Sequence, residues 1–206
     1  MFPGNLIFNK LKSSLFLFVI IACSSPKQPL PIYGHKKIDS KGNEIDHVVS
    51  DFTFLNQDHK IITLGKYSNQ VFVADFFFTS CQTICPKMTK QLARVQKELR
   101  GLDFSILSHT VNPKYDTANK LLDYANEMGA ELSNWDFVTG DAQKIYKQAA
   151  SYQLTAIKDT SQIIPFVHSE YLVLVDKQNR IRGLYDGTDT IEVNQLMEDI
   201  KWLTQQ

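Results

Sequence analysis

"ADFFFTSCQTICPKMTKQL", residues 74–92, runs from a nearly all-apolar stretch into a polar one that holds two cysteines four apart and a proline. The first half closes the segment "VFVADFFF" (71–78), whose lack of alternation predicts a strand buried on both faces. In the second half and beyond, Met88, Leu92, Val95 and Leu99 recur at intervals of four, three and four, one stripe of a helix that Gly101 ends. The two thiols therefore sit where a buried strand gives way to an amphipathic helix.

The flanking sequence extends this pattern. "DFTFLNQ" (51–57) and "KIITL" (60–64) flank a turn at Asp58 and His59, and "FSILSHTV" (104–111) reads as a further strand. Leu121, Leu122, Ala125 and Met128 mark a helix closed by Gly129, and another helical pattern covers 142–150. "YLVLVD" (171–176) and "IRGLYDG" (181–187) predict a hairpin across Lys177 to Asn179, and Val193, Leu196, Met197, Ile200 and Leu203 an amphipathic terminal helix. Strands and helices in this order give an α/β fold with a central mixed β-sheet flanked by helices, the order of thioredoxin-like folds. With 206 residues, 43% of them hydrophobic, the chain is long enough for one medium domain, expected over 51–206.

Residues 1–22 read as an export signal: Lys10 and Lys12 precede the apolar run "LFLFVIIA" (15–22), too short to span a bilayer. Ile20 is bulky for an ordinary cleavage site, whereas "IIAC" (20–23) resembles the lipobox of bacterial lipoproteins, whose cysteine is acylated and becomes the mature N-terminus. Cys23 is thus the expected lipidation site, and residues 23–50, beginning with "SSPKQPLP" (24–31), a lipid-anchored tether and N-terminal extension. Within it "DSKGN" (39–43) predicts a turn between short strands. The expected location is extracytoplasmic, at the periplasmic face of a membrane. Without residues 1–22 the chain has 20 basic and 22 acidic side chains, which argues against nucleic-acid binding. No Walker or dinucleotide-type glycine motif is present.

Cys81 and Cys85 remain as a pair outside the cytoplasm, where nearby thiols oxidise unless a reductant or a metal intervenes. Four helical residues advance about 6 Å and return to nearly the same face, so a disulfide and joint ligation are both open if the helix has begun at Cys81. Pro86 suits an early helical position, and the amides and dipole there favour thiolates. Soft sulfur donors select copper(I), zinc or iron–sulfur centres, but clusters and structural zinc want four ligands. Copper is content with two or three, so one imidazole could complete the site. His35, His47 and His59 lie in polar stretches that read as surface. His109, near the carboxyl end of a predicted strand, and His168, ahead of the last hairpin, are the two candidates, with a slight preference for His168.

"DFFFTSCQTICPKM" (75–88), "VNPKYDT" (111–117), "WDFVTG" (135–140) and "FVHSEYLVLVDKQNRIRGLYDGTD" (166–189) together resemble the Sco/SenC proteins, thioredoxin-fold copper chaperones for assembly of the CuA centre of cytochrome c oxidase. The likeness runs from Asp51 to the C-terminus. It implies Cys81, Cys85 and His168 as copper ligands, for Cu(I), Cu(II) or both, and leaves His109 structural. Asp75, six residues before Cys81, is similar to the buried Asp that precedes the active-site cysteines of thioredoxins; it either assists proton movement at the thiols or is a satisfied structural carboxylate. Asn112 stands where relatives often have Asp, and Ala118 where many have Pro.

Two functions follow. One is metal delivery, with copper as cargo, to the oxidase subunit that carries CuA. The other is an extracytoplasmic thiol–disulfide oxidoreductase in which Cys81 and Cys85 are the catalytic pair, reducing the CuA-site cysteines and itself served by thiol reductants of the thioredoxin class. Only the first needs His168. A peroxiredoxin-like activity ranks last, since "TSCQTIC" (79–85) has no activating Arg nearby in sequence.

Overall fold

A computed structural model of the chain describes Met1 and residues 29–154, 157–158, 166–167 and 169–206. The elements in chain order are β1 (Lys37–Ile38), β2 (Glu44–Ile45), β3 (Thr53–Asn56), β4 (Ile61–Thr63), β5 (Val71–Phe77), α1 (Ile84–Glu98), β6 (Phe104–Thr110), α2 (Ala118–Met128), β7 (Trp135–Thr139), α3 (Ala142–Ser151), β8 (Ile157–Lys158), β9 (Phe166–Val167), β10 (Tyr171–Val175), β11 (Ile181–Asp186) and α4 (Thr190–Thr204). Seven strands form one sheet in the order β11-β10-β5-β6-β7-β3-β4. β5, β6 and β7 are parallel, while the outer strands on both sides join antiparallel, so the mixed sheet expected from the sequence is present.

Every residue of β5 and of β6 is buried, which accounts for the nearly all-apolar run of β5; the polar residues among them, Asp75, Ser105, Ser108, His109 and Thr110, are buried with the rest. α1 packs beside α2 and α4, and α4 also rests on β5 and β11, covering one face. α3 follows β7 after a two-residue connection, and Tyr152 at its end meets Phe76 and His109 on the opposite face. Capping follows local chemistry: Asp141 and Asp189 accept amide hydrogens at the starts of α3 and α4, and Gly129 ends α2 at φ 75°.

β7 is a strand that hydrophobic pattern does not announce, because Asp136 sits in its middle. The carboxylate is buried and satisfied by Asn56 Nδ2 (2.8 Å), the Tyr67 hydroxyl (2.6 Å) and the Lys66 ammonium. These donors come from β3 and the one-turn 3-10 helix Leu64–Tyr67, so the cost of burying the charge is met only by residues distant in sequence.

The sheet has two poles. The turn after β5, which carries the cysteines, lies at the carboxyl ends of the parallel strands; the β10–β11 turn, paired toward the start of β5, lies at the other. The chain enters at that second, basal pole. Arg182 donates to the carbonyls of Leu30 (2.5 Å) and Pro31 (3.0 Å) and pairs with Asp176 (2.8 Å), while Tyr33 bridges to Ile181. The expected turn at 39–43 is present, closed by Asp39 accepting the amides of Lys41 and Asn43, with Gly42 at φ 84°.

Candidate functional site

β5 ends at Phe77, and the chain turns through Phe78–Thr83 before α1 starts at Ile84. Cys85 is therefore the second residue of the helix, but Cys81 precedes it, so the pair does not share one helix face. A tight turn, in which the Cys81 amide donates to the Phe78 carbonyl (3.1 Å), returns Cys81 toward the helix. The two sulfurs still meet, in hydrogen-bond contact, and both are thiols rather than a disulfide. Pro86 occupies the third helical position, where an amide hydrogen would have no helical acceptor, and no Thr83 side-chain bond caps the start.

Two expectations about the thiols change. The site is not an open helix terminus: Cys81 is 8% exposed and Cys85 0%. Nor does the terminus dominate the charge state of Cys85. The hydrogen bond that the Cys85 thiol donates to the neighbouring Cys81 sulfur, then burial, then the negative charges of Cys81 and Asp75 push the Cys85 thiol far above its ordinary range, although the Phe78 amide acts against them. Within the pair, one sulfur held as a thiol hydrogen-bonds the other; removing both protons needs a positive partner for the two charges.

Asp75 lies on β5 opposite Ser108 of β6, and it is buried. Ser108 Oγ donates to Asp75 Oδ1 (2.5 Å) and accepts from Trp135 Nε1 (2.9 Å). Tyr124 of α2 stands on the same side, stacked on Phe77 (5.1 Å) and hydrogen-bonded to Thr89 (2.9 Å), whose hydroxyl also donates to the Cys85 carbonyl. Burial first, and then the charges of Cys85, Asp75 and Cys81, push the Tyr124 hydroxyl up, while its bond to Thr89 opposes them.

His109 is adjacent to Ser108 in β6, and strand alternation turns it to the other face. Its ring stacks on Phe76 (4.6 Å) and meets Phe52, Phe54 and Tyr152 edge-on. It is enclosed by aromatic rings on the face away from the thiols. His47 bonds the Ser151 carbonyl (2.7 Å) and His59 the Asn119 side chain (2.8 Å). His168 and Cys23 lie outside the described residues, and among the described ones no group of three or more His, Cys, Asp or Glu side chains could hold a metal ion.

One residue that sequence reasoning passed over fixes the turn. Asp116, 0% exposed, accepts the Thr79 amide (3.1 Å), the Thr79 hydroxyl (2.5 Å) and the Thr110 hydroxyl. The segment after β6 is thereby tied to the residue two before Cys81. The signal lay in "VNPKYDT", where a carboxylate follows a proline turn, but two of its three bonds go to Thr79, in the turn after β5. Asn112 supplies the carbonyl that closes this turn onto Tyr115 and Asp116, and Ala118 is the first residue of α2, a place that proline also suits. Asp116→Ala is expected to lower the unfolding free energy by about 3 kcal/mol, since the buried Thr110 hydroxyl and the two part-buried Thr79 donors all lose their acceptor. Removing the exposed cap in Asp141→Ala should cost roughly 1 kcal/mol. Urea unfolding of both variants measures the difference.

Comparison with known proteins follows the same segments. The SCO1/SenC family model matches residues 40–205. The SCO1 protein homolog of Bacillus subtilis (strain 168) is 32% identical over 160 residues, covering 76% of this chain and 83% of that protein. Among solved structures, a SCO1/SenC family lipoprotein from Bacillus anthracis str. Ames superposes with a TM-score of 0.70 at 29% identity, over 76% of this chain and 94% of that one. BsSco, described as a member of the Sco family of cytochrome c oxidase assembly proteins and as having a disulfide switch, gives 0.69 at 31% identity, over 77% and 94%.

Proposed function

Because the chain belongs to the SCO1/SenC family, we propose that it is a metallochaperone that binds copper and delivers it to the CuA centre of cytochrome c oxidase during assembly. The observation that carries this reading is the contact between the Cys81 and Cys85 sulfurs at the end of β5. Two soft donors already face each other, and the positive charge that would let both lose their protons is what a copper ion supplies. His168 is the third ligand in this reading. The cargo's recipient is the CuA-bearing oxidase subunit, and reductants of the thioredoxin class keep the pair as thiols. Cys23 carries the lipid, which places the domain outside the cytoplasmic membrane.

Transfer then proceeds by exchange of donors. The ion leaves as the recipient's ligands replace Cys81, Cys85 and His168 in turn, and each released thiolate takes back a proton. The buried environment of Cys85 favours that reprotonation, because it raises the proton affinity of the sulfur.

A second reading is favoured by the same sulfur contact: a thiol–disulfide oxidoreductase in which one cysteine attacks a partner disulfide and the other resolves it. Anaerobic copper(I) titration against a competing chelator separates the two. The full-length protein is expected to bind one ion per chain. His168→Ala should weaken binding by at least the roughly 10- to 100-fold that loss of even an outer-shell partner costs, and His109→Leu should leave it unchanged. Unaltered affinity in His168→Ala, together with copper-independent reduction of a protein disulfide, would transfer the assignment to the oxidoreductase.

A further inference from the structure

We propose that the basal pole of the domain, with the β1–β2 hairpin projecting from it, rests on a lipid surface and so turns the dithiol away from the membrane. This rests on the reading of Cys23 as the lipid-bearing residue.

The first observation is where the chain enters. Arg182 clamps the carbonyls of Leu30 and Pro31, and the Tyr33–Ile181 bridge continues the attachment. Leu30 is the seventh residue after Cys23, and seven extended residues span at most about 25 Å. An anchored chain therefore keeps this pole within that distance of the bilayer. Cys81 and Cys85 follow the far end of β5, a seven-residue strand roughly 23 Å long.

The second observation is the distribution of exposed apolar side chains. Ile32 (39% exposed), Tyr33 (39%), Ile38 (66%), Ile45 (49%) and Val48 (48%) all fall within residues 32–48, half of the large apolar side chains exposed between residues 29 and 206 among those described. Both ends of that excursion are fixed at the basal pole: Tyr33 to Ile181, and Val49 through its amide to the Asn179 carbonyl (2.9 Å). His47 and Asp46 add bonds to Ser151 and Arg180. The register pairs Lys37 with Ile45 and Ile38 with Glu44, which sets the two isoleucines on opposite faces of a ribbon that is wet on both. Partly buried Trp202, near the end of α4, lines a cleft of about 210 Å³ at the same pole, with Lys177, Arg180 and Arg182. Apolar and aromatic groups mixed with lysines at one end of a domain match the composition of a headgroup-level contact.

Charge does not drive the contact. Lys36, Lys37 and Lys41 are balanced by Asp39, Glu44 and Asp46, with Lys36 paired to Glu44 (2.7 Å) and Arg180 to Asp46 (3.7 Å). The association is accordingly apolar and insensitive to salt.

The test uses the full-length processed protein in vesicles of phosphatidylethanolamine and phosphatidylglycerol, with and without brominated acyl chains, carrying either Ile38→Trp or Tyr115→Trp. Tyr115, 50% exposed, lies beyond β6 at the dithiol pole. The emission added by Ile38→Trp is expected to fall by roughly half in brominated vesicles, because interfacial side chains sit about 5–10 Å into the headgroup boundary. That from Tyr115→Trp should not change, and raised salt should not relieve the quenching. A protein that floats with the vesicles but is unquenched at position 38, or is quenched at 115 instead, overturns this proposal alone. An emission shift at 38 that follows protein concentration rather than lipid assigns the hairpin to a second copy of the chain and also overturns it. Failure to float overturns the lipid anchor and the proposal together.

Discussion

Cys81→Ser and Cys85→Ser are each expected to reduce copper binding from one ion per chain to none detectable under competition with a thiol chelator. The reason lies in the donor set. In the proposed site the pair contributes both soft ligands, and among the described residues no group of three or more His, Cys, Asp or Glu side chains could take their place. A serine oxygen is a hard donor that stays protonated at neutral pH, so the remaining sulfur and imidazole would have to hold the ion without a second thiolate. The variants differ in a way that checks the interpretation. Cys85 is fully buried, so a hydroxyl there costs about 1–3 kcal/mol unless it finds a partner, whereas Cys81 at the rim should be nearly neutral for stability. Copper loss in Cys81→Ser with an unchanged urea midpoint would therefore be a loss of ligand rather than of fold. Retention of one tightly held ion by Cys81→Ser would remove the dithiol from the site.

Stability is expected to fall steeply between pH 6.5 and about 3, with His109 as a principal cause. Burial among aromatic rings lowers its pKa from 6.5 to about 3, against weaker opposing bonds to the Asp75 and Leu107 backbone. Between those values the unfolded chain binds a proton at this residue and the folded chain does not. The contribution is complete above pH 6.5 and is lost as pH falls through the folded pKa, at about 1.4 kcal/mol per pH unit and roughly 5 kcal/mol in total. His109→Leu should flatten the curve by one proton's worth over that window. Its stability at pH 7 should be little changed, because leucine removes the buried Nε2, which has no hydrogen-bond partner, at the loss of the long 3.4 Å contact between Nδ1 and the Asp75 carbonyl. Urea unfolding at a series of pH values compares the two proteins, and carboxylates common to both cancel in the difference. Parallel curves would show that the imidazole is protonated inside the fold.

The parts of this thioredoxin-like architecture that could be read from sequence are those whose partners are near in the chain or whose periodicity is strong. β5, β6, α1, α2 and the last hairpin follow directly from apolar runs and stripes. β7 escaped because Asp136 is stabilised by Asn56, Lys66 and Tyr67, about seventy to eighty residues earlier. At the site, the spacing of Cys81 and Cys85 pointed to a shared helix face, whereas proximity comes from a turn ahead of the helix. Asp116 could not be assigned from sequence for the same reason as Asp136: the donors it accepts from, on Thr79 and Thr110, meet only when β5 and β6 lie side by side. His109 shows the reverse. Its position at a strand's carboxyl end made it a plausible ligand, and strand alternation alone decides that it faces the other way.

The unequal depth of the two sulfurs has a temporal meaning. Cys81 is 8% exposed and Cys85 0%, so under the proposed function whatever approaches, whether a hydrated ion or another protein's thiol, makes first contact at Cys81. In the proposed transfer departure runs in the same sequence, with the outer sulfur displaced first and the inner one holding on until the visitor has already begun to bond elsewhere. On that reading a pair stacked in this way passes its burden hand to hand and never sets it down in water.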